Sequence, residues 1–400
     1  MNSFRASGSE VISLWTSASG FHQPPVLCAL RIPTVFVVAF SVHFSTIKMI
    51  RQSPFFMRYG IFKTVVGKST VKNEFRMRSM KDYFDRDIDY FRISITDRCN
   101  LRCRYCMPQG CEKVPMSQIL TFEEIERICR AAARIGIRKL KITGGEPLVR
   151  LGCPDLIKTL KSIDGIEQVT MTTNGQDLRC YLDALINAGI DGINISLDSL
   201  DPHRYADITG GGNLLKTLQA IDLSVAAGIR TKVNCLLQKD FNEDEIFDLA
   251  AFAFQKGIYI RFIELMPIGI ADPSKGISNE QVLHSLTVQW PDLERDYRVH
   301  GNGPAIYYKR EGVAGGIGFI SAIHDAFCSG CNRIRLTSQG QLKPCLCYDD
   351  GVDLKPYLRQ SDQDLEVALK EAIRRKPGGH CFTAKRFGSE EHRLMSQIGG

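Results

Sequence analysis

Four hundred residues with 44% hydrophobic and 24% charged side chains make an ordinary soluble composition, enough for one large α/β domain with extensions, so core size is not limiting. The net charge of +7 sits in one segment: residues 1–80 hold ten Lys/Arg and two acids, whereas the rest holds 41 Lys/Arg against 42 acids. No basic stripe remains in the body, which excludes a nucleic-acid footprint.

In chain order, residues 1–80 are rich in Ser, Phe and Arg/Lys and show no pattern that could build a core. That is the composition of an organelle transit peptide, expected to be disordered. The apolar stretch 27–50 is interrupted by Arg31, Pro33, His43 and Lys48, and its uninterrupted run, 34–41, falls far short of the roughly 20 residues a membrane span needs. From Tyr90 a strand-helix alternation begins. A strand is predicted over 91–96, and Thr121-Phe-Glu-Glu124 is a capping box opening a helix with Ile125, Ile128, Cys129 and Ala132 on one face. Further strands are predicted at 139–143, 168–172, 192–197, 231–237 and 259–266, separated by helices near 154–163, 178–188, 214–227 and 243–256. Six βα-type units favour parallel strands with right-handed crossovers. Cys129, Cys153, Cys180 and Cys235 fall inside these patterns and read as buried small hydrophobes.

After the first strand comes Cys99-Asn-Leu-Arg-Cys103-Arg-Tyr-Cys106. Three thiolates can hold three irons of a [4Fe-4S] cube and leave the fourth open to a small molecule, whereas a structural cluster or zinc site takes four protein ligands. Neither Cys28 nor Cys111 completes a familiar zinc spacing. Fourteen cysteines clustered this way, without a secretory cleavage pattern, argue for a reducing compartment and metal binding rather than disulfides.

The predicted strands finish in residues poorly suited to a packed core: Gly144-Gly145-Glu146-Pro147, Thr172-Thr173-Asn174-Gly175, Ser196-Leu-Asp198, Lys232-Val-Asn234 and Glu264-Leu-Met266-Pro267. A site at the carboxyl ends of barrel strands accounts for them. The expected fold is therefore α/β, a partial (β/α)6 TIM-like barrel over 81–267. Its wide side would be covered by residues 268–400, which read as loop and strand with a last helix near 362–375. That region carries Cys328-Ser-Gly-Cys331 and then Cys345, again three cysteines. Zinc completed by His324 or Cys347 is the competing reading of this second set. Arg333 and Arg335 just beyond it are forked, permanently charged donors suited to phosphate.

With both cysteine sets, Tyr105, the Gly-Gly-Glu-Pro loop, Thr172-Thr-Asn-Gly, Ser196-Leu-Asp and Arg261-Phe-Ile-Glu-Leu-Met266, the chain resembles the GTP 3′,8-cyclase family of molybdenum cofactor biosynthesis, within the radical S-adenosylmethionine (SAM) superfamily. The resemblance runs from about residue 82 to the terminal Gly399-Gly400. It implies two [4Fe-4S] clusters and SAM as cofactors. Cys99, Cys103 and Cys106 would hold the first cluster, with Tyr105, Gly145, Ser196 and Met266 lining SAM. Cys328, Cys331 and Cys345 would hold the second, binding the guanine of GTP. Arg92, Lys141, Thr172, Lys232, Arg333 and Arg335 would hold the nucleotide, the two last serving catalysis. The family usually shows arginine where Lys141 stands. The glycine tail would reach into the site. The resemblance further implies GTP as substrate, 3′,8-cyclo-7,8-dihydro-GTP as product, an accessory cyclic pyranopterin monophosphate synthase, an electron donor and, as an open option, a homodimer. The mitochondrial matrix is the expected destination, because iron-sulfur assembly occurs in mitochondria. The rivals are a peptide-modifying radical SAM maturase, an electron carrier and a zinc-stabilised binding module.

Overall fold

The barrel wall is built from six βα repeats in the predicted order. The computed structural model describes residues 28–32, 35–39, 80–110, 114–324, 327–382 and 391–399. The chain divides into two compact units, Met1–Phe75 and Arg76–Gly400. In the first, β1 (Cys28–Ile32) pairs antiparallel with β2 (Val35–Ala39). The β-branched, aromatic run Val35-Phe-Val-Val suits a strand. The rest of the expected transit peptide lies outside the described residues.

The second unit opens with a short hairpin, β3 (Met80–Lys81) and β4 (Asp87–Ile88). The repeats follow as β5 (Tyr90–Ser94), α1 (Phe122–Arg134), β6 (Lys139–Thr143), α2 (Cys153–Lys161), β7 (Gln168–Thr173), α3 (Leu178–Asn187), β8 (Gly192–Ser196), α4 (Pro202–Thr209), α5 (Leu214–Ala226), β9 (Thr231–Leu236), α6 (Ile246–Lys256) and β10 (Tyr259–Ile263). Glu124 and Thr121 do cap α1 reciprocally, and Ile125, Ile128, Cys129 and Ala132 are buried on it. The last strand stops at Ile263, three residues before its predicted end, because the buried Glu264 turns away to accept from the backbone N–H groups of Asn279, Ile323 and His324. Cys180 is exposed, contrary to expectation: the buried residues of α3 are Leu178, Leu182 and Leu185, and Cys180 lies off that face.

The C-terminal region does more than cover the barrel. It supplies α7 (Asn279–Gln289), β11 (Glu294–Asp296), β12 (Ile306–Lys309), β13 (Gly316–Ile320), β14 (Arg333–Leu336), β15 (Gln341–Lys343), β16 (Val352–Asp353), α8 (Asp362–Arg374) and a final turn of helix, α9 (Met395–Ile398). Six strands alone would leave β5 and β10 with unpaired backbone edges. β14 adds parallel to β5, and β13 adds parallel to β10. The described sheet thus reads β11-β12-β13-β10-β9-β8-β7-β6-β5-β14-β15-β16, with eight parallel strands at its centre and no closing pair between its ends. The partial barrel is as expected, and its wall is wider than the six predicted strands by two. A second, smaller apolar cluster bridges the two flanks: Ile268 and Met266 from beyond β10 meet Cys347, Phe382 and Ile398.

One pairing overturns the expectation of free thiols throughout: Cys347 and Cys381 form a disulfide, with Cα atoms 6.1 Å apart. The excursion through α8 returns segment 376–382 onto the loop after β15, so cysteines 34 residues apart meet inside the second apolar cluster. Among the described residues no helix is long and apolar enough to cross a membrane.

Candidate active site

The inner face of the wall is polar along its length. In β7 the burial alternates, with Val169, Met171 and Thr173 buried and Gln168, Thr170 and Thr172 turned to the interior. In β9 Val233 and Cys235 pack outward while Lys232 and Asn234 face inward. A strand places successive side chains on opposite faces, so this period of two writes a polar barrel interior directly into the sequence. It is the signal missed when only strand ends were read as functional. The resulting cavity, about 330 Å³, therefore runs between the strands rather than lying above them.

The two thiol sets enter from opposite ends. Cys99–Cys106 follow the C-terminal end of β5, whereas Cys328 and Cys331 immediately precede β14, and Cys345 follows β15, which runs antiparallel to β14. The site was expected above the carboxyl ends, where the first set lies; the parallel pairing of β14 with β5 puts the second set at the other end, since β14 is entered from the N-terminal end of its neighbour.

Three contacts shape the first loop. The backbone N–H groups of Arg102 and Arg104 donate to Thr209 and Ile208 at the end of α4, 2.8 and 2.9 Å. That helix was not predicted, although Asp201 caps it and Pro202 sits in its first turn. Gly145 lies against the loop backbone: a Cβ there would come within 2.3 Å of the Arg98 carbonyl oxygen, so only glycine lets the two turns touch. Tyr105 donates to Asp198 at 2.8 Å and joins the cavity wall with Ser196 and Met266, while the three thiols and Gly145 lie outside that wall. Burial pushes the Cys103 thiol well up, helped by Asp198 and the neighbouring thiols, and it raises the Asp198 carboxyl to about 6. Glu146, raised to about 7 by burial, accepts from Thr173 Oγ1 and the Asn174 N–H, both at 2.7 Å, tying the loop after β6 to the end of β7.

The second set lies among cations. Burial alone would push the Cys331 thiol up, but Arg333 and Lys376 outweigh it and bring it down to about 6. Arg86, unforeseen from sequence, is buried on Asp82 and donates to the carbonyls of Cys328, Lys376, Pro377 and Gly378, clamping this loop to the returning chain. Of the zinc candidates, Cys347 is paired with Cys381, and His324, whose Nδ1 lies 3.1 Å from Glu264, is not on the cavity wall that Cys345 shares with Cys328 and Cys331. Among the described residues no three Cys, His, Asp or Glu side chains already converge at metal-binding distance.

Arg92, Lys141, Arg230, Lys232, Arg261, Arg333, Arg335 and Lys376 line the wall, against one carboxylate, Asp198, among the described residues. Arg335, Arg92, Lys141 and Thr170 are successive register partners across β14, β5, β6 and β7, so three cations stand side by side. Burial lowers Lys232 to about 7 and Lys141 well below the usual lysine range, reinforced by Arg261 in both cases. Arg261 Nε and Asn234 Oδ1 are buried without a hydrogen-bond partner. The unpartnered Arg261 donor and the crowded cations are unfavourable alone and fit a bound polyanion, whereas the Asn234 oxygen calls for a donor. Thr172 also lines the cavity. Gly399, at φ +76°, accepts from Arg335 Nη1 at 2.6 Å, and a Cβ there would stand 3.0 Å from Ser94 Cβ, so the tail reaches the ends of β5 and β6.

Residues 93–253 match the model of the radical SAM superfamily, and residues 258–382 match Molybdenum Cofactor Synthesis C. A protein of Clostridium perfringens (strain SM101 / Type A) named GTP 3′,8-cyclase is 43% identical over 324 residues, covering 80% of this chain and 100% of that protein. Another of that name, from Alkaliphilus metalliredigens (strain QYMF), is 45% identical over 327 residues with the same coverage. The crystal structure of Streptococcus suis SuiB bound to S-adenosylmethionine shares the fold at TM-score 0.52 and 15% identity, over 72% of this chain and 68% of that one.

Proposed function

Because the chain belongs to the GTP 3′,8-cyclase family of the radical SAM superfamily, we propose that its cavity holds SAM at the Cys99–Cys106 end and GTP between there and the second thiol set. The chain is a radical SAM lyase that converts GTP to 3′,8-cyclo-7,8-dihydro-GTP, using SAM and two [4Fe-4S] clusters. One observation carries the residue assignment: among the described residues, eight cations and a single carboxylate line a cavity between the two thiol sets.

Cys99, Cys103 and Cys106 would hold the cluster that binds SAM, and Cys328, Cys331 and Cys345 the one beside guanine. When bound, the clusters and SAM would supply the one-electron chemistry that the cyclisation of GTP requires. The protein's part is positioning and exclusion. Tyr105, Ser196 and Met266 border SAM. Gly145 contributes through the backbone turn it lets approach the cysteine loop. Arg92, Lys141, Thr172, Lys232, Arg333 and Arg335 receive the nucleotide, Arg333 and Arg335 also fixing it beside the second set. The Gly399 tail and the apolar cluster around Ile268 and Ile398 would enclose the ligands and limit which C–H bonds come within reach of the reaction.

The product would pass to an accessory cyclic pyranopterin monophosphate synthase, and an external electron donor would reduce the clusters. Self-association as a homodimer is read by sedimentation. The excess of ten basic over two acidic residues in 1–80 supports a targeting segment directed to the mitochondrial matrix. Anaerobically reconstituted protein given SAM and a strong reductant tests the whole reading through 5′-deoxyadenosine release. Release should rise sharply with GTP, and release indifferent to GTP would sink the substrate assignment.

A further inference from the structure

We propose that the loop 300–304, His-Gly-Asn-Gly-Pro, is the seat of the nucleotide's terminal phosphate and the element that tells a triphosphate from shorter nucleotides. This rests on the reading that GTP occupies the cavity.

The loop closes the N-terminal mouth of the barrel. It lines the cavity together with Gln168 and Gly192, the first residues of β7 and β8, and Arg230, just before β9. It is held rigidly. Asn302 Nδ2 donates to Gln168 Oε1 at 2.5 Å. His300 Nε2 lies 2.7 Å from Asp296, a buried carboxylate that also receives Tyr259 Oη at 2.8 Å and Arg298 Nε at 2.9 Å. The His300 ring packs on Tyr259 and Tyr307, with centroids 4.1 and 4.7 Å away. Asp296 is thereby committed to these partners and is not part of the cavity wall.

The loop presents backbone and amide groups to cations that have no anion among the described residues. Lys232 Nζ donates to the His300 carbonyl and, at 3.3 Å, to Tyr307 Oη, both neutral acceptors. Arg230 donates to the Asp191 carbonyl, and Arg261 Nε has no partner. A terminal phosphate carries the greatest charge on a nucleotide, about two units near neutral pH. The loop also shares a recess with Cys331, Asn332 and Arg333, so it borders the nucleotide end of the cavity. Gly301 keeps room there: a Cβ would stand 2.9 Å from Lys232 Nζ and displace the ammonium.

Equilibrium dialysis of anaerobically reconstituted holoenzyme against GTP, GDP and GMP tests this in the unaltered chain, Gly301→Ala and Asn302→Asp. The unaltered chain should prefer GTP over GDP by about tenfold or more. Gly301→Ala should erase that preference while leaving GMP affinity near the unaltered value, so that the loss appears in the GTP/GDP ratio. Asn302→Asp, which sets a carboxylate beside the phosphate, should weaken GTP by more than about tenfold, GDP less and GMP not at all. An unchanged GTP/GDP ratio in both variants, equal weakening of all three nucleotides, or no GTP preference in the unaltered chain would each overturn the inference. If the unaltered holoenzyme binds none of the three, the nucleotide reading itself fails.

Discussion

The two thiol sets present the same ligand type in opposite electrostatic surroundings. Around Cys103 the neighbours are Asp198 and two further thiols, and burial drives its thiol well up. Around Cys331 they are Arg333 and Lys376, which bring its thiol to about 6 against burial. SAM is a sulfonium cation in its reacting part and GTP a polyanion. The contrast supports the proposed division, with a carboxylate at the proposed SAM end and guanidinium and ammonium groups at the proposed nucleotide end. The sets also differ in construction. The first is eight residues of one loop, braced by α4 and Gly145. The second is assembled from two loops by the β14–β15 hairpin and the Arg86 clamp.

The sharpest way to break this comparison is to remove one thiol from each set. Cys103→Ala should abolish 5′-deoxyadenosine release altogether, whereas Cys331→Ala should lose about half the bound iron and all cyclised product while still cleaving SAM. Iron analysis with product chromatography reads both, and loss of SAM cleavage in both variants would erase the division of labour. Next in size is the tail. Gly399→Val forces a side chain into the space beside Ser94 at a positive φ, pulling the carbonyl from Arg335, and turnover should fall roughly 100-fold with both clusters intact.

At the nucleotide end, Lys232 is lowered from 10.5 to about 7 by burial, then by Arg261 and Arg230. Between about pH 7 and 10.5 the unfolded chain holds this proton and the ligand-free folded chain does not, so its contribution makes the free chain more stable as pH rises through that window. Phosphate requires the proton back. GTP affinity should therefore fall above pH 7, by at most about tenfold per pH unit, and Lys232→Met should remove that slope in a pH series of dialysis measurements. The smallest effect expected is at the SAM end, where Tyr105→Phe deletes one hydrogen bond to Asp198. It should weaken SAM binding by about fivefold and leave GTP affinity unchanged. An equal loss for both ligands would mean that the ends are not electrostatically separate.

Much of the wall was legible in one dimension. The alternation of Lys232, Asn234 and Leu236 with Val233 and Cys235, the Thr121–Glu124 capping box and the spacing of the cysteines are local patterns, and local periodicity survives into the fold because backbone geometry sets it. α7 was legible too, through its Ser278–Gln281 capping box, but was lost in a region read as loop. Arg86, the Cys347–Cys381 pair and Glu264 were not legible, since each acts on partners tens to hundreds of residues away.

By itself, then, the sequence determined the βα repeat, the two three-cysteine sets and a strongly cationic choice of inward residues, all of which depend on spacing and side-chain type. Only the tertiary structure decided that the C-terminal strands join both edges of the wall, that the second thiol set enters from the end opposite the first, and that one tail glycine rests on Arg335. The physical reason is edge pairing: β5 and β10 need partners along their open backbones, and which segment supplies them, in which direction, is settled by burial and hydrogen bonding across the whole chain.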